Sequence, residues 1–390
     1  MRPIRLLLRM HWTAVVLAIV PALAAAQSLD DLNIQIHGYA TQGLLYTTQN
    51  NILTTTSSNG SPAWTEAVLN VGAQPIPKLR IGVQGRYFLL GNLGNAITLD
   101  WAAADYKAND QFGVRFGKVK TPLGLFNEIQ DIDPSYMWSL LPQSVYPITS
   151  RNSLLSHYGG VVYGRLNLGS GLGKLEYRGW GGQSMLSSDD GYLLGFREAG
   201  ILLPNGLSHT TYGAAIHWRP PLRGLMVGAS DNKNNTYQDP VTVGPYSGTA
   251  KGPAFHWPYY FAQLERDRWM LAGEWTRAAA KLFLSIPGAP VTTLALDQRS
   301  WYAMGSVKAT PKLTGGLYFS EATNHVAVLG PARYSKDWAV SARYDFNQYL
   351  YAKAEQHFID GTSIDYDADL NADGLKPDTK LTILKLGVSF

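Results

Sequence analysis

The sequence contains no cysteine. That excludes a disulfide framework and any thiolate metal site, and it lets the chain cross an oxidising compartment without mispairing. Charge is sparse: 16% of residues, 33 basic against 29 acidic. A formal charge of +4 is too small to imply nucleic acid or an acidic partner. Past the first 26 residues no apolar run is long enough to cross a bilayer as a helix, which takes roughly 20 residues. Yet 45% of residues are hydrophobic and 12% aromatic. Much apolar material without continuous runs fits strands that are apolar on one face only. Catalytic signatures are missing too: no HExxH helix, no P-loop, no Gly-x-Ser-x-Gly elbow. No enzyme is expected; a Ser/His pair on an outer wall, as in a membrane lipase, is the one catalytic alternative.

What is present begins with Arg2, Arg5 and Arg9, an apolar run from Trp12 to Val20, Pro21, and the small residues Ala24, Ala25 and Ala26. This is the pattern of a secretory signal peptide, 1–26, cut before Gln27. Its removal takes three arginines from the formal charge and leaves the chain close to neutral.

Residues 380–390 (KLTILKLGVSF) are the most telling stretch. Thr382, Leu384, Leu386, Val388 and Phe390 share one face of a strand, and Lys385, Gly387 and Ser389 the other. Residues 337–346 repeat the pattern, with Trp338, Val340, Ala342, Tyr344 and Phe346 opposite Ser341, Arg343 and Asp345. The same alternation recurs in segments of about ten residues, enough for a tilted strand to cross a bilayer. They begin near 33, 63, 79, 96, 112, 158, 173, 208, 224, 256, 268, 298, 313, 337, 349 and 380. Between them, short turns near 75–78, 108–111, 169–172, 219–223, 267, 309–312 and 347–348 alternate with connections that are mostly long. Those are 48–62, the brief 91–95, 119–157, 185–207, 233–255, 278–297, 324–336 and 361–379. The expected fold is all-β: a transmembrane antiparallel barrel of about 16 strands, with long extracellular loops and short periplasmic turns. Residues 27–390 form it, in the outer membrane of a Gram-negative bacterium. Closure pairs every backbone group, and sixteen strands leave an aqueous channel where eight are filled by their own side chains.

The longest connection, 119–157, is rich in aromatics and carries Pro122, Pro134, Pro142 and Pro147. A loop of that length with apolar anchors such as Phe126, Met137 and Trp138 is functional rather than disordered. It is expected to fold into the lumen as a constriction, bringing Glu128, Asp131 and Asp133; the alternative is an external flap. Inward positions supply the basic residues Arg80, Arg86, Arg115, Arg165 and Arg178. Arg80, Arg86 and Arg115 have no acid in their own strands, so a basic ladder facing an acidic loop would set a field across the pore and a mild anion preference. In the last loop Asp369, Asn371 and Asp373, followed by Gly374, match the start of a calcium loop. The bidentate Glu position holds Lys380, and a solvated acidic loop is the plainer alternative. No other cofactor is expected.

Residues 117–128 (GKVKTPLGLFNE) are similar to the strand-to-loop segment of Gram-negative porin-like barrels grouped near the phosphate-selective porins. Arg343-Tyr344-Asp345-Phe346, Lys353-Ala354-Glu355, Ile359-Asp360-Gly361-Thr362 and 385–390 resemble the late strands of the same superfamily. The resemblance implies a sixteen-stranded diffusion channel and a homotrimer. It does not bring phosphate selectivity, which needs a dense lysine cluster where this loop is acidic. The expected function is a porin passing small hydrophilic solutes and ions. The alternatives are a substrate-specific channel for sugars or small carboxylates, and a non-transport barrel acting as adhesin or anchor. Expected partners are outer-membrane lipid, lipopolysaccharide and the barrel-assembly machinery.

Overall fold

The computed structural model describes residues 32–326 and 329–390, so the expected signal peptide lies outside the described residues. Sixteen strands among the described residues run antiparallel, each bonded to its neighbours in chain order. They are β1 (Gln35–Thr47), β2 (Ser61–Ile76), β3 (Leu79–Leu90), β4 (Leu93–Lys107), β5 (Gly113–Lys120), β6 (Ser156–Asn167), β7 (Lys174–Leu186) and β8 (Leu207–Arg219). The second half is β9 (Leu225–Asn234), β10 (Phe255–Arg266), β11 (Trp269–Ser285), β12 (Thr292–Lys308), β13 (Leu313–Asn324), β14 (Tyr334–Asp345), β15 (Leu350–Gly361) and β16 (Asp378–Ser389). β16 closes the barrel on β1, in register from Tyr39 opposite Ser389 to Thr47 opposite Leu381. Closure gives each of the sixteen barrel strands a hydrogen-bonded neighbour on both sides, as a span through lipid requires.

Burial follows the two-residue period. Along β16, Leu384, Leu386 and Val388 are exposed, while Leu381, Ile383 and Lys385 are buried. The first set faces out and the second faces in, because successive side chains take opposite faces. On the outside of β10 to β14 aromatic rings stack across strands: Tyr260 with Trp275, Trp301 with Phe319, and Phe319 with Trp338, at centroid separations of 5.8, 5.2 and 4.9 Å. Such cross-strand pairs contribute roughly 0.2–1 kcal/mol each.

Two long-loop connections differ from the sequence expectation. The segment 278–297 is mostly strand: β11 and β12 each run to 17 residues and leave only 286–291 between them. Alternation continues through Ala278, Leu282 and Leu284, which are buried, so nothing local stops the ladder. Within 233–255 the chain forms a hairpin, Tyr237–Val243 with Tyr246–Gly252, that pairs with Ile201–Leu202 and with the end of β11. Leu186, Leu193, Leu203, Val241 and Leu284 form an apolar cluster beneath it, and Leu45, Leu53, Trp64, Leu90, Leu140 and Ile383 form another under the loops 48–60 and 362–377.

Candidate channel constriction

Residues 121–155 lie inside the barrel. Leu123, Phe126, Met137, Trp138, Val145, Tyr146 and Leu154 are buried against inward wall residues that include Trp180, Met226, Tyr259, Phe261, Tyr302 and Tyr318. Each such side chain contributes about 1.5–3 kcal/mol by leaving water, which is the drive that brings a proline-rich segment inward.

Directional contacts then fix where the segment sits. Asp133 accepts from Lys353 Nζ at 2.9 Å, Lys385 Nζ at 2.8 Å and the Tyr351 hydroxyl at 2.8 Å. Asp131 accepts from Lys120 at 2.8 Å and from the Gln84 amide at 2.6 Å. Glu355 accepts the backbone N–H groups of Ser139 and Leu140, both at 3.0 Å. Glu274 accepts from the Leu125 N–H at 3.1 Å and from the hydroxyls of Tyr146 and Tyr302 at 2.6 and 2.9 Å. Arg151 pairs with Asp100 at 2.9 Å, and Arg343 donates to the carbonyls of Pro134 and Tyr136. The segment is therefore tied to β3, β4, β11, β14, β15 and β16 at once.

The basic residues divide into three settings. Arg86 is buried and bound to Glu66 of β2 at 2.5 Å, so its charge is met by the neighbouring strand. Arg80 is exposed near the short-turn end of β3 and has no ion-pair partner among the described residues. Arg115, Arg165 and Arg178 belong to one partly solvated network. Arg115 reaches Asp105 at 2.8 Å and Glu128 at 3.1 Å; Arg178 reaches Glu128 at 3.4 Å and Glu176 at 3.8 Å. Glu176 also binds Arg165 at 3.0 Å and Arg219 at 3.4 Å. Of the three loop acids only Glu128 faces this network; Asp131 and Asp133 are buried in their own pairs. Four arginines thus share three carboxylates, leaving an excess of one positive charge.

Three gaps between the segment and the long-loop half of the wall measure about 90, 40 and 20 Å³. At 10–15 Å³ per water centre they hold roughly six to nine, three to four and one to two waters. Beside the smallest gap, burial pushes Asp365 up to about 7; the Thr149 hydrogen bond opposes the rise and Asp337 adds a smaller repulsion. A carboxyl raised from its unfolded value binds more protons when folded, so stability falls as pH rises between roughly 4 and 7. Protection factors in the loop 362–377, which remove the intrinsic pH dependence of exchange, should fall over that interval, and Asp365→Asn should flatten the dependence.

In the same loop Asn371 is turned toward loop 48–60. Its oxygen accepts the Asn51 N–H at 2.8 Å and its amide donates to the carbonyls of Asn51 and Asp367. Asp369 and Asp373 are exposed, and no group of three His, Cys, Asp or Glu placed to hold a metal occurs among the described residues.

Sequence reasoning missed Asp105 and Lys120. Asp100 and Asp105 are five residues apart, so strict alternation puts them on opposite faces. A bulge opposite Gln84 and Gly85 adds a residue to β4 and turns both inward. The expected loop 119–157 includes Lys120, whereas β5 extends through it. Glu355 does not neutralise Lys353, its i−2 neighbour; it binds His357 at 2.9 Å and the loop backbone, because Asp133 has taken the lysine.

A closed sixteen-stranded barrel with an apolar outer face and a long segment folded into its lumen is a porin-type fold. The chain is similar in structure to OmpF of Salmonella typhi solved with daunomycin, at a TM-score of 0.58 and 13% identity, over 93% of this chain and 99% of that one. It is also similar to an anion-selective porin from Comamonas acidovorans (TM-score 0.53, 10% identity, 92% and 99% covered). A third likeness is to the trimer form of OmpT, an outer membrane protein of Vibrio cholerae (0.54, 11%, 92% and 99%). At these identities the likeness is one of fold. No family model and no curated protein sequence matches the chain.

Proposed function

We propose that the chain is a channel, not an enzyme, passing small hydrophilic solutes and ions through a lumen narrowed by residues 121–155. One observation carries this: the inward segment leaves Arg115, Arg178, Glu128 and Asp105 partly open to solvent, with side chains 21–33% exposed, while the other loop acids are buried. A partly solvated charge cluster beside a fixed segment is what sets ion preference in a pore. The one-charge excess of arginine favours anions slightly. In planar bilayers under a salt gradient, ohmic conductance with weak anion preference is expected. Arg178→Gln should move the reversal potential toward cations; Arg86→Gln should not, because that charge is met by Glu66.

A second reading, a barrel whose loops close the lumen, draws support from the apolar clusters and small gaps of the long-loop half. Absence of conductance in correctly folded protein would establish it over the channel.

The outer wall suggests the partners. At the seam it carries small residues (Ala40, Ala67, Ala342, Ala352, Ala354) and two hydrogen-bonded polar pairs, Thr65 with Gln42 and Thr382 with Gln356. Polar pairs are better housed against protein than lipid, which favours this face for a homotrimer; three equal closing steps per insertion would be its signature in the same recordings. On β11, β12 and β14 the exposed Arg277, Arg299 and Lys336 stand one step beyond Trp275, Trp301 and Trp338, at a height suited to anionic headgroups of lipopolysaccharide.

A further inference from the structure

We infer that the long-loop ends of β6 to β10 and the inward segment enclose a binding site for a small neutral polyol. The inference rests on the channel reading for its biological sense and deepens it by naming a solute class.

The site is the gap of about 40 Å³ between Thr121, Leu123 and Leu154 on one side and the wall on the other. It differs from the rest of the lumen in charge. None of its lining residues is Asp, Glu, Lys or Arg, while Arg86, Asp131, Asp133 and Glu128 elsewhere in the lumen each stand in an ion pair. A small ion entering it would lose hydration with no counter-charge to meet it.

What the gap offers instead is unmatched hydrogen bonding of both kinds. Three buried atoms of its lining have no partner: Trp257 Nε1, His209 Nδ1 and His157 Nε2. The indole N–H is a donor only. The second ring nitrogen of His209, Nε2, lies 2.9 Å from Asn234 Oδ1, an oxygen that also accepts from the Asn232 amide at 3.0 Å. Nε2 therefore carries the proton, and Nδ1 is a bare acceptor. His157 is 1% exposed, its Nδ1 lies 2.9 Å from the Thr121 hydroxyl, and its Nε2 takes whichever role the tautomer gives it.

A carboxylate can only accept and an ammonium can only donate; a hydroxyl does both, so a polyol satisfies the mixed set. Tyr192, Tyr237 and Phe255 add apolar ring surface for the C–H faces of such a molecule. The gap has room for about three waters, the number of hydroxyls that a three-carbon polyol carries. Leaving these atoms unmet carries the desolvation cost of a buried, unpaired polar group, a cost the occupant removes.

Glycerol is the probe. Saturation-transfer NMR on the folded, detergent-solubilised full chain should show glycerol bound and lactate, an anion of similar size, not bound. Trp257→Phe keeps the ring and removes the N–H, and His209→Leu removes the acceptor; each should weaken the glycerol signal at least fivefold. Retained heat-modifiable mobility verifies the fold of both variants. Equal signal from glycerol and lactate, or variants that bind glycerol like the parent, would mean that the gap holds water alone and would overturn the site. Bilayer recording is read separately: bound glycerol without any conductance leaves the site standing and removes the channel reading, while conductance without glycerol binding does the reverse.

Discussion

Asp133→Ala should produce the largest single change in this protein: a lower melting temperature together with a larger conductance. Lys353 and Lys385 come from adjacent strands, and in register they face each other. Both are buried, at 2% and 3% exposure, and they share the one carboxylate. Burial alone would raise the Asp133 pKa, but the two ammonium groups outweigh it and hold the carboxyl well below its usual range. A group depressed in this way contributes its stability above the unfolded value near pH 4 and loses it only in strong acid. Removing it strands two like charges in the lumen wall. Breaking a buried pair costs about 3–5 kcal/mol, far more than a surface pair is worth. The remaining lysine contacts, to the carbonyls of Asp133, Trp138 and Ser139, all lie on the same segment. Mutual repulsion should therefore push the segment off β15 and β16 and widen the pore. Unchanged conductance with unchanged melting would show that the segment is held by its other polar ties and its apolar contacts, without the Asp133 pairs.

Glu274→Leu should have the next largest effect. Three donors converge on this carboxylate: the hydroxyls of Tyr146 and Tyr302, and the Leu125 N–H, which the Tyr146 hydroxyl shares at 2.9 Å. Tyr146 and Tyr302 would each lose their acceptor, at about 1–3 kcal/mol apiece, and Tyr146 would turn from the position that also holds the Leu125 and Phe126 N–H groups. The site leaves no space for repair. Gly124 is in the left-handed region at φ +65°, and a Cβ there would stand 2.3 Å from Glu274 Oε1 and 2.6 Å from the Tyr146 hydroxyl. Glu274→Gln keeps an acceptor and should cost much less. Hydrogen exchange at Leu125 and Phe126 separates the two variants: strong deprotection in the leucine variant and little in the glutamine one is the expected order.

Both predictions concern contacts made at long sequence separation, and those are where the sequence was least legible. Fifteen of the sixteen expected strand starts fall within three residues of the observed ones, and the exception, 298 against Thr292, lies in the extended β12. Strand positions were readable because the signal is local: a two-residue period with turn residues at its breaks. Parity is readable for the same reason, and the faces it gives Lys385 and Ser341 are the buried, inward ones. Where a bulge altered parity, as at Asp100 in β4, the local rule failed and Asp105 was lost.

Amino-acid order by itself determined the strands, their faces, the alternation of short and long connections, and hence a closed barrel wide enough for a lumen. Only the tertiary structure decided which charges meet. Arg86 is matched by the strand beside it, Asp133 by two lysines more than 200 residues away, and Glu355 by the backbone it anchors. The reason is physical. Alternation needs only the pleat of the residue's own strand, whereas pairing depends on register, shear and the course of a segment crossing the lumen, which arise when the barrel closes.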